Sequence, residues 1–245
     1  MPVPPLSSSR GVLITRPEPG LGETASAVAA LGWEPVLAPA LHVTPCRVGS
    51  LPRQVAALLL TSGQAVGVAA ESVPPFIPVF AVGERTAQKA REAGFATVHS
   101  AGGDAQALEH LLLRHCAPGM GSLLLYSGMG QGMDLAASLR VQGFRVVRRV
   151  AYRADPVAVL PASVDQALLA GQIAAILFFS ARSAQSWLKA ARAAGIVARV
   201  RGVRAVVISE AVAKTLRQSG WQGPVSSATT PDAPAMLAAL GVWSA

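Results

Sequence analysis

Short apolar runs that stop at a polar or glycine turn recur along the chain, and after most of them apolar residues return at helical spacing. The sharpest case is Ala56 to Val66, AALLLTSGQAV, in which a buried strand at Leu58 to Leu60 meets Thr61, Ser62 and Gly63, residues that can cap a following helix. Upstream, GVLIT from Gly11 predicts a strand, and Pro17, Pro19 and Gly20 delay the next helix until about Gly22. That helix runs over Glu23 to Leu31 and is closed by Gly32, with a long strand following at Val36 to Thr44. Downstream, Phe76 to Val82 predicts a strand that turns at Gly83 into the helix Glu84 to Ala93, which Gly94 closes. Thr97 to Ser100 is a further strand, and Asp104 caps a helix reaching His115. Alternation of this kind builds a mostly parallel sheet with helices on both faces.

The same order then returns. Ser122 to Tyr126 reads as a strand and Met133 to Val141 as a helix, and Gly143 with Phe144 answers Gly32 with Trp33. Ser180 in ILFFSARSA answers Ser62, and Gly220 with Trp221 answers Gly94 with Phe95. Two long units in the same order indicate an internal duplication rather than a solenoid. Two doubly wound lobes would each gather strand ends and helix N-termini along one edge, with a ligand cleft expected between them. The long strands Val36 to Thr44 and Arg145 to Arg153 are the candidate connections between lobes.

Composition narrows the chemistry. With 51% hydrophobic and 14% charged residues the chain is not disordered, and no apolar stretch reaches the roughly eighteen residues of a membrane span. MPVPPLSSSR lacks a signal-peptide core, so a cytoplasmic location is expected. Cys46 and Cys116 have no metal-site or disulfide-scaffold spacing and are expected to be buried thiols. The net charge of +8 comes mostly from arginine, while aromatic residues are only 5% and do not interleave with it. That argues against nucleic acid and for a compact polyanionic small molecule. His42, His99, His110 and His115 are scattered, no serine or cysteine sits in a nucleophile elbow, and no metal is expected.

Each helix start after a strand points unpaired N–H groups and a positive dipole end outward, which suits an anion. The candidates are Thr61, Ser62 and Gly63, then Gly83, then Ser127 with Gly128, and in the second copy Ser180, Ala181 and Arg182. SGMGQG at Ser127 follows a strand and precedes a helix as a dinucleotide fingerprint would. Met133 replaces its last glycine, however, and no acidic ribose partner follows, which leaves a flexible loop as the competing reading. Arg16 in TRP is either a surface charge or a bidentate carboxylate ligand. Tyr152, in VAYRADP at the end of a long strand, is on the residues alone either an interface aromatic or a functional hydroxyl.

Six stretches in order, LITRPEPG from Leu13, LLLTSGQAV from Leu58, FAVGERTAQKAREAGF from Phe80, AYR ending at Arg153, FFSARSA from Phe178 and VVISEAVAKTLRQSGW from Val206, resemble the uroporphyrinogen-III synthases. The resemblance covers about Gly11 to Leu240. It implies an α/β protein of two doubly wound, flavodoxin-like parallel-sheet lobes. One lobe is formed by residues 1–40 with 156–245 and the other by 46–150, joined by two extended linkers at 41–45 and 151–155. It also implies cyclisation of hydroxymethylbilane, a linear tetrapyrrole bearing acetates and propionates, to uroporphyrinogen III. Water is lost and the last pyrrole is inverted through a spiro intermediate. No cofactor, nucleic acid or membrane is expected to take part, and a monomer is expected.

In that reading Tyr152 matches the tyrosine that helps the hydroxyl leave, and Thr86 matches a hydroxyl residue after the glycine turn. The corresponding turn of the second copy starts at Ser209, where Glu210 must point away from a polyanion. The competing class is a non-catalytic two-lobed binder of a small anion.

Overall fold

A computed structural model describes residues 9–244. In chain order its elements are β1 (Gly11–Ile14), α1 (Leu21–Ala30), β2 (Glu34–Leu37), β3 (Leu41–Pro45), β4 (Val55–Leu60), α2 (Val66–Ser72), β5 (Val79–Ala81), α3 (Glu84–Glu92), β6 (Val98–Ser100), α4 (Ala105–His115) and β7 (Ser122–Gly128). There follow α5 (Met133–Val141), β8 (Arg145–Pro156), α6 (Ala162–Leu169), β9 (Ile173–Phe178), α7 (Ala181–Ala193), α8 (Val197–Val200), β10 (Arg204–Val207), α9 (Glu210–Gln218), β11 (Val225–Ser227) and α10 (Ala233–Leu240). None of the helices among the described residues is long and apolar enough to cross a membrane.

The chain divides into two compact units, one taking residues up to His42 and from Asp155 onward, the other Val43–Ala154. The first holds the sheet β11-β10-β9-β1-β2 and the second the sheet β3-β8-β7-β4-β5-β6. Every pair among β1, β2, β9, β10 and β11 is parallel, as are the pairs running from β8 through β7, β4 and β5 to β6. Setting β3 aside, both sheets have the flavodoxin-like order 2-1-3-4-5, with β1 and β2 in one matched by β7 and β8 in the other. The two sequence copies are therefore exchanged. Each unit takes the opening βαβ of one copy and the closing strands of the other.

The cores follow from the strands. Val12, Leu13 and Ile14 in β1, Ile176, Leu177 and Phe178 in β9, and Leu58, Leu59 and Leu60 in β4 are fully buried, as continuous apolar runs in central parallel strands must be. The duplicated glycine–aromatic pairs prove to be helix ends. Gly32, Gly94, Gly143 and Gly220 all have φ between 83° and 95°, and their N–H groups donate to Ala29, Arg91, Arg140 and Arg217. The aromatic that follows each donates one carbonyl further back, to Val28, Ala90, Leu139 and Leu216. This is the Schellman arrangement, and a left-handed residue there is what glycine permits.

Two expected boundaries shift. The strand Val36 to Thr44 is broken into β2 and β3, because Ala38 and Ala40 donate to Ile14 and Thr15 across Pro39, which has no N–H to offer. The strand foreseen from Phe76 shrinks to Val79–Ala81, since Pro74, Pro75 and Pro78 hold a turn before it. The segments expected as linkers are themselves β structure. Val157 donates to Ala40 and Cys46 donates to Ala151, so β3 runs antiparallel beside the end of β8.

Candidate active site

In both sheets the chain order reverses between the first and third strands, and a crevice at that switch point is where such folds bind ligands. In the second unit the switch lies between β7 and β4. Beyond β7 the chain forms the loop Gly128–Gly132, which passes over β8 at Tyr152. The tyrosine is 5% exposed, its hydroxyl donates to Gln131 Oε1 at 3.1 Å, and its carbonyl accepts from Met129 N–H at 2.9 Å. A Cβ on Gly128 would lie 2.8 Å from Tyr152 Cζ and 2.8 Å from Gln131 Oε1. The glycine is there to let phenol and amide meet above it.

The loop is pinned, not flexible. Ser127 is fully buried and its Oγ donates to the Gln131 carbonyl at 3.0 Å. Arg148 Nη1 donates to Ser127 Oγ at 3.2 Å and to the same carbonyl at 3.0 Å, while Gln131 N–H donates to the Gly128 carbonyl. Gly130 and Gly132 both have φ of 74°, and a Cβ on Gly132 would press on Ser127 at 3.0 Å. The glycines of SGMGQG thus serve a closed turn around Gln131, and the hydroxyl of Ser127 faces inward to hold that turn.

After β4, Ser62 Oγ accepts from Gln64 N–H at 3.3 Å and caps a 3-10 turn, Gly63–Ala65, that leads into α2. A Cβ on Gly63 would sit 3.2 Å from Lys89 Cδ and 3.9 Å from Thr86 Oγ1. The Thr61–Gly63 turn is therefore packed beside α3, where Thr86 is 9% exposed. Gly83 caps α3 without a side chain, and nothing lies within 4 Å of the Cβ it lacks. Sequence reading thus named Thr61, Ser62, Gly63, Gly83, Thr86, Ser127, Gly128 and Tyr152 on this edge, and did not single out Gln131, Arg148 or Lys89 as site residues. The glycines of SGMGQG drew attention away from the glutamine between them.

In the first unit the switch lies between β1 and β9. Ser180 Oγ accepts from Ser183 N–H at 3.0 Å and caps α7, whose first turn carries Ala181 and Arg182. Arg16 lies across its own loop. Its Nη1 donates to Thr24 Oγ1 at 3.0 Å and its guanidinium covers the Phe179 ring at 4.5 Å, one residue before the Ser180 turn. Ser209 caps α9 through backbone alone, and Glu210 reaches Arg217 at 2.6 Å and the Ser227 hydroxyl at 3.0 Å. Its carboxyl is held below the usual range by Arg217 and then by Ser227. Glu84 repeats the arrangement at α3, lowered by Arg91 and then by Ser100. Both helix starts keep their acidic side chain turned toward a neighbour. Elsewhere, Cys46 and Cys116 are free and half-buried rather than buried, and among the described residues no three His, Cys, Asp or Glu side chains group as a metal site.

The uroporphyrinogen-III synthase HemD family model matches residues 22–238. The chain belongs to this family. Members cyclise hydroxymethylbilane to uroporphyrinogen III, and this chain is accordingly a cyclising lyase of haem biosynthesis that acts on a tetrapyrrole. No curated protein matches it by sequence. Among solved structures it is similar to the uroporphyrinogen-III synthetase of Helicobacter pylori, at 19% identity and a TM-score of 0.64, over 94% of this chain and 97% of that one. A selenomethionine mutant of the Thermus thermophilus uroporphyrinogen III synthase matches at 20% identity and a TM-score of 0.50, over 94% and 96%. At these identities the likeness concerns the synthase fold, and it extends over nearly the whole length of each chain.

Proposed function

We propose that this synthase directs ring closure by seating the carboxylates of hydroxymethylbilane on the strand-end turns of each unit, with Tyr152 as general acid. The observation that carries the reading is the Tyr152 hydroxyl, buried with its ring yet offered under a pinned loop at the edge where helix starts gather. The phenol gives its proton to the terminal hydroxyl of the substrate, which leaves as water and yields an azafulvene. The far pyrrole then attacks through its substituted carbon, forming the spiro intermediate that fragments and recloses inverted. Orientation of the chain supplies the preference over uninverted closure.

Backbone N–H groups of the turns at Thr61, Ser62 and Gly63, at Gly83, at Ser180, Ala181 and Arg182, and at Ser209 hold acetates and propionates, because the capping hydroxyls of Ser62 and Ser180 are already taken. Thr86 and Arg16 add side-chain contacts, and Ser127 and Gly128 act by shaping the loop. The chain works as a monomer in the cytoplasm. Hydroxymethylbilane generated in situ and treated with the purified protein, with no cofactor added, should give type III uroporphyrin after oxidation. Type I alone, at the rate seen without protein, would refute the reading and leave binding of another polyanion.

A further inference from the structure

Gln131 accepts the hydrogen of the Tyr152 hydroxyl, and its placement takes an elaborate turn: two left-handed glycines, a buried serine and an arginine fix its backbone, and a third glycine clears space for its amide. The side chain itself is on the exposed face of the loop. Nothing in the fold of the unit needs that amide. A hydrophobic or absent side chain would leave the loop's backbone bonds in place, since those at this residue run through Gln131 N–H and C=O.

An amide has a property that suits a phenol which gives up a proton and takes it back. Its oxygen accepts from a neutral tyrosine, and its NH₂ can donate to a tyrosinate. We infer that Gln131 is a positioning residue for Tyr152, accepting the hydroxyl hydrogen while the site is empty and donating to the phenolate oxygen once the proton has gone to the departing hydroxyl. The inference rests on Tyr152 being the general acid. The balance is closed: the Tyr152 O–H bond breaks, its proton joins the substrate hydroxyl, and the C–O bonding pair leaves with the water. The pyrrole nitrogen's electrons form the azafulvene, and a proton released from the ring system after reclosure restores the phenol. Arg148, which donates to the Gln131 carbonyl, is the charged group of this network.

Gln131→Glu is the informative variant. As a carboxylate it accepts from the neutral phenol but cannot donate to a phenolate, and it opposes the phenolate's charge. Measured with in situ hydroxymethylbilane on full-length protein, it should lower kcat about tenfold at about pH 8 with KM little changed, and recover as the pH falls toward the ordinary glutamate pKa of about 4.3, where a protonated carboxyl can donate again. Gln131→Leu should show the loss without the recovery, and both variants should melt as the parent does. Added to Tyr152→Phe, which alone should cost about a hundredfold, neither change should lower kcat further. Parent-like kcat and pH profile in Gln131→Glu, with Tyr152→Phe slow, would overturn the role of Gln131 and leave the tyrosine's intact. Parent-like turnover in Tyr152→Phe would overturn both.

Discussion

With β3 set aside the two units share one strand order, and they differ in the loop that follows β1 in one and its counterpart β7 in the other. In one it is TRPEPG, Thr15 to Gly20, and in the other SGMGQG, Ser127 to Gly132. Both begin with a buried hydroxyl that bonds to a carbonyl, Thr15 to Leu177 at 2.7 Å and Ser127 to Gln131 at 3.0 Å. From there they diverge. The proline-rich loop turns a cation back over Phe179, whereas the glycine-rich loop stays thin and brings an amide to a phenol. In the function proposed above, one frame, used twice, separates a region that seats charge from a region that transfers a proton, and the division is made by side-chain bulk at a single turn.

That contrast can be broken directly. Gly128→Ala places a methyl group against Tyr152 and Gln131 and should lower kcat by about a hundredfold, as loss of the general acid would. At Gly20→Ala the nearest atoms belong to the Arg16 guanidinium, the end of a flexible side chain, so the change should displace that group, raise KM a few-fold and leave kcat nearly unchanged, roughly the signature of lost ground-state binding. Equal effects on kcat would erase the proposed division of labour.

A smaller effect distinguishes the units in acid. His99 in β6 stacks on Phe80 at 4.8 Å and lies 4.6 Å from His115, and β11, the matching strand, carries serine where β6 has histidine. Burial and then His115 push the His99 pKa below its ordinary value. The folded form therefore binds fewer protons than the unfolded chain. Its contribution is full above the unfolded pKa of about 6.5 and is lost as pH falls through the lower folded value. Amide exchange should show Val43–Ala154 loosening first over that range, and His99→Phe should remove the difference.

The smallest effect should be common to both units. Glu84 and Glu210 have folded pKa values below the ordinary one, so their contribution is present above the unfolded pKa and fades as pH drops through the folded values. Both pairs are exposed, and screening keeps their worth low. Arg91→Met and Arg217→Met should flatten the acid limb of a urea-midpoint profile slightly and to the same extent. A marked inequality would show that the two networks are not equivalent.

Much of the fold was legible because its signals are local. The alternation of apolar runs and helical spacing, the caps at Ser62, Asp104 and Ser180, and the four glycine–aromatic pairs each occupy a few consecutive residues. Which strand lies beside which is not local, and the exchange of copies between units followed from the family resemblance alone. The site was half legible for the same reason. Turns that follow strands can be found by inspection, so Thr61, Gly83 and Ser180 were placed at strand ends. The pairing of Tyr152 with Gln131 depends on β8 lying beside β7, and that Ser127 faces inward depends on Arg148 in the neighbouring strand. Neither is encoded in the residues next to them. The break at Pro39 is a local signal that the apolar run on either side outweighed.

The exchange of copies has a consequence for how the protein is made. The unit of Val43–Ala154 is continuous and can close on the emerging nascent chain soon after its last strand clears the ribosome. The other cannot. Its first strand carries Val12, Leu13 and Ile14 and can pair early with β2 on one side, but its neighbour on the other is β9, a span reflected in the 162 residues between Thr15 and Leu177. At roughly 5–20 residues per second, translation leaves that apolar strand without its central neighbour for about ten to thirty seconds, and the continuous half of the protein, which ends at Ala154, is complete before that neighbour is made.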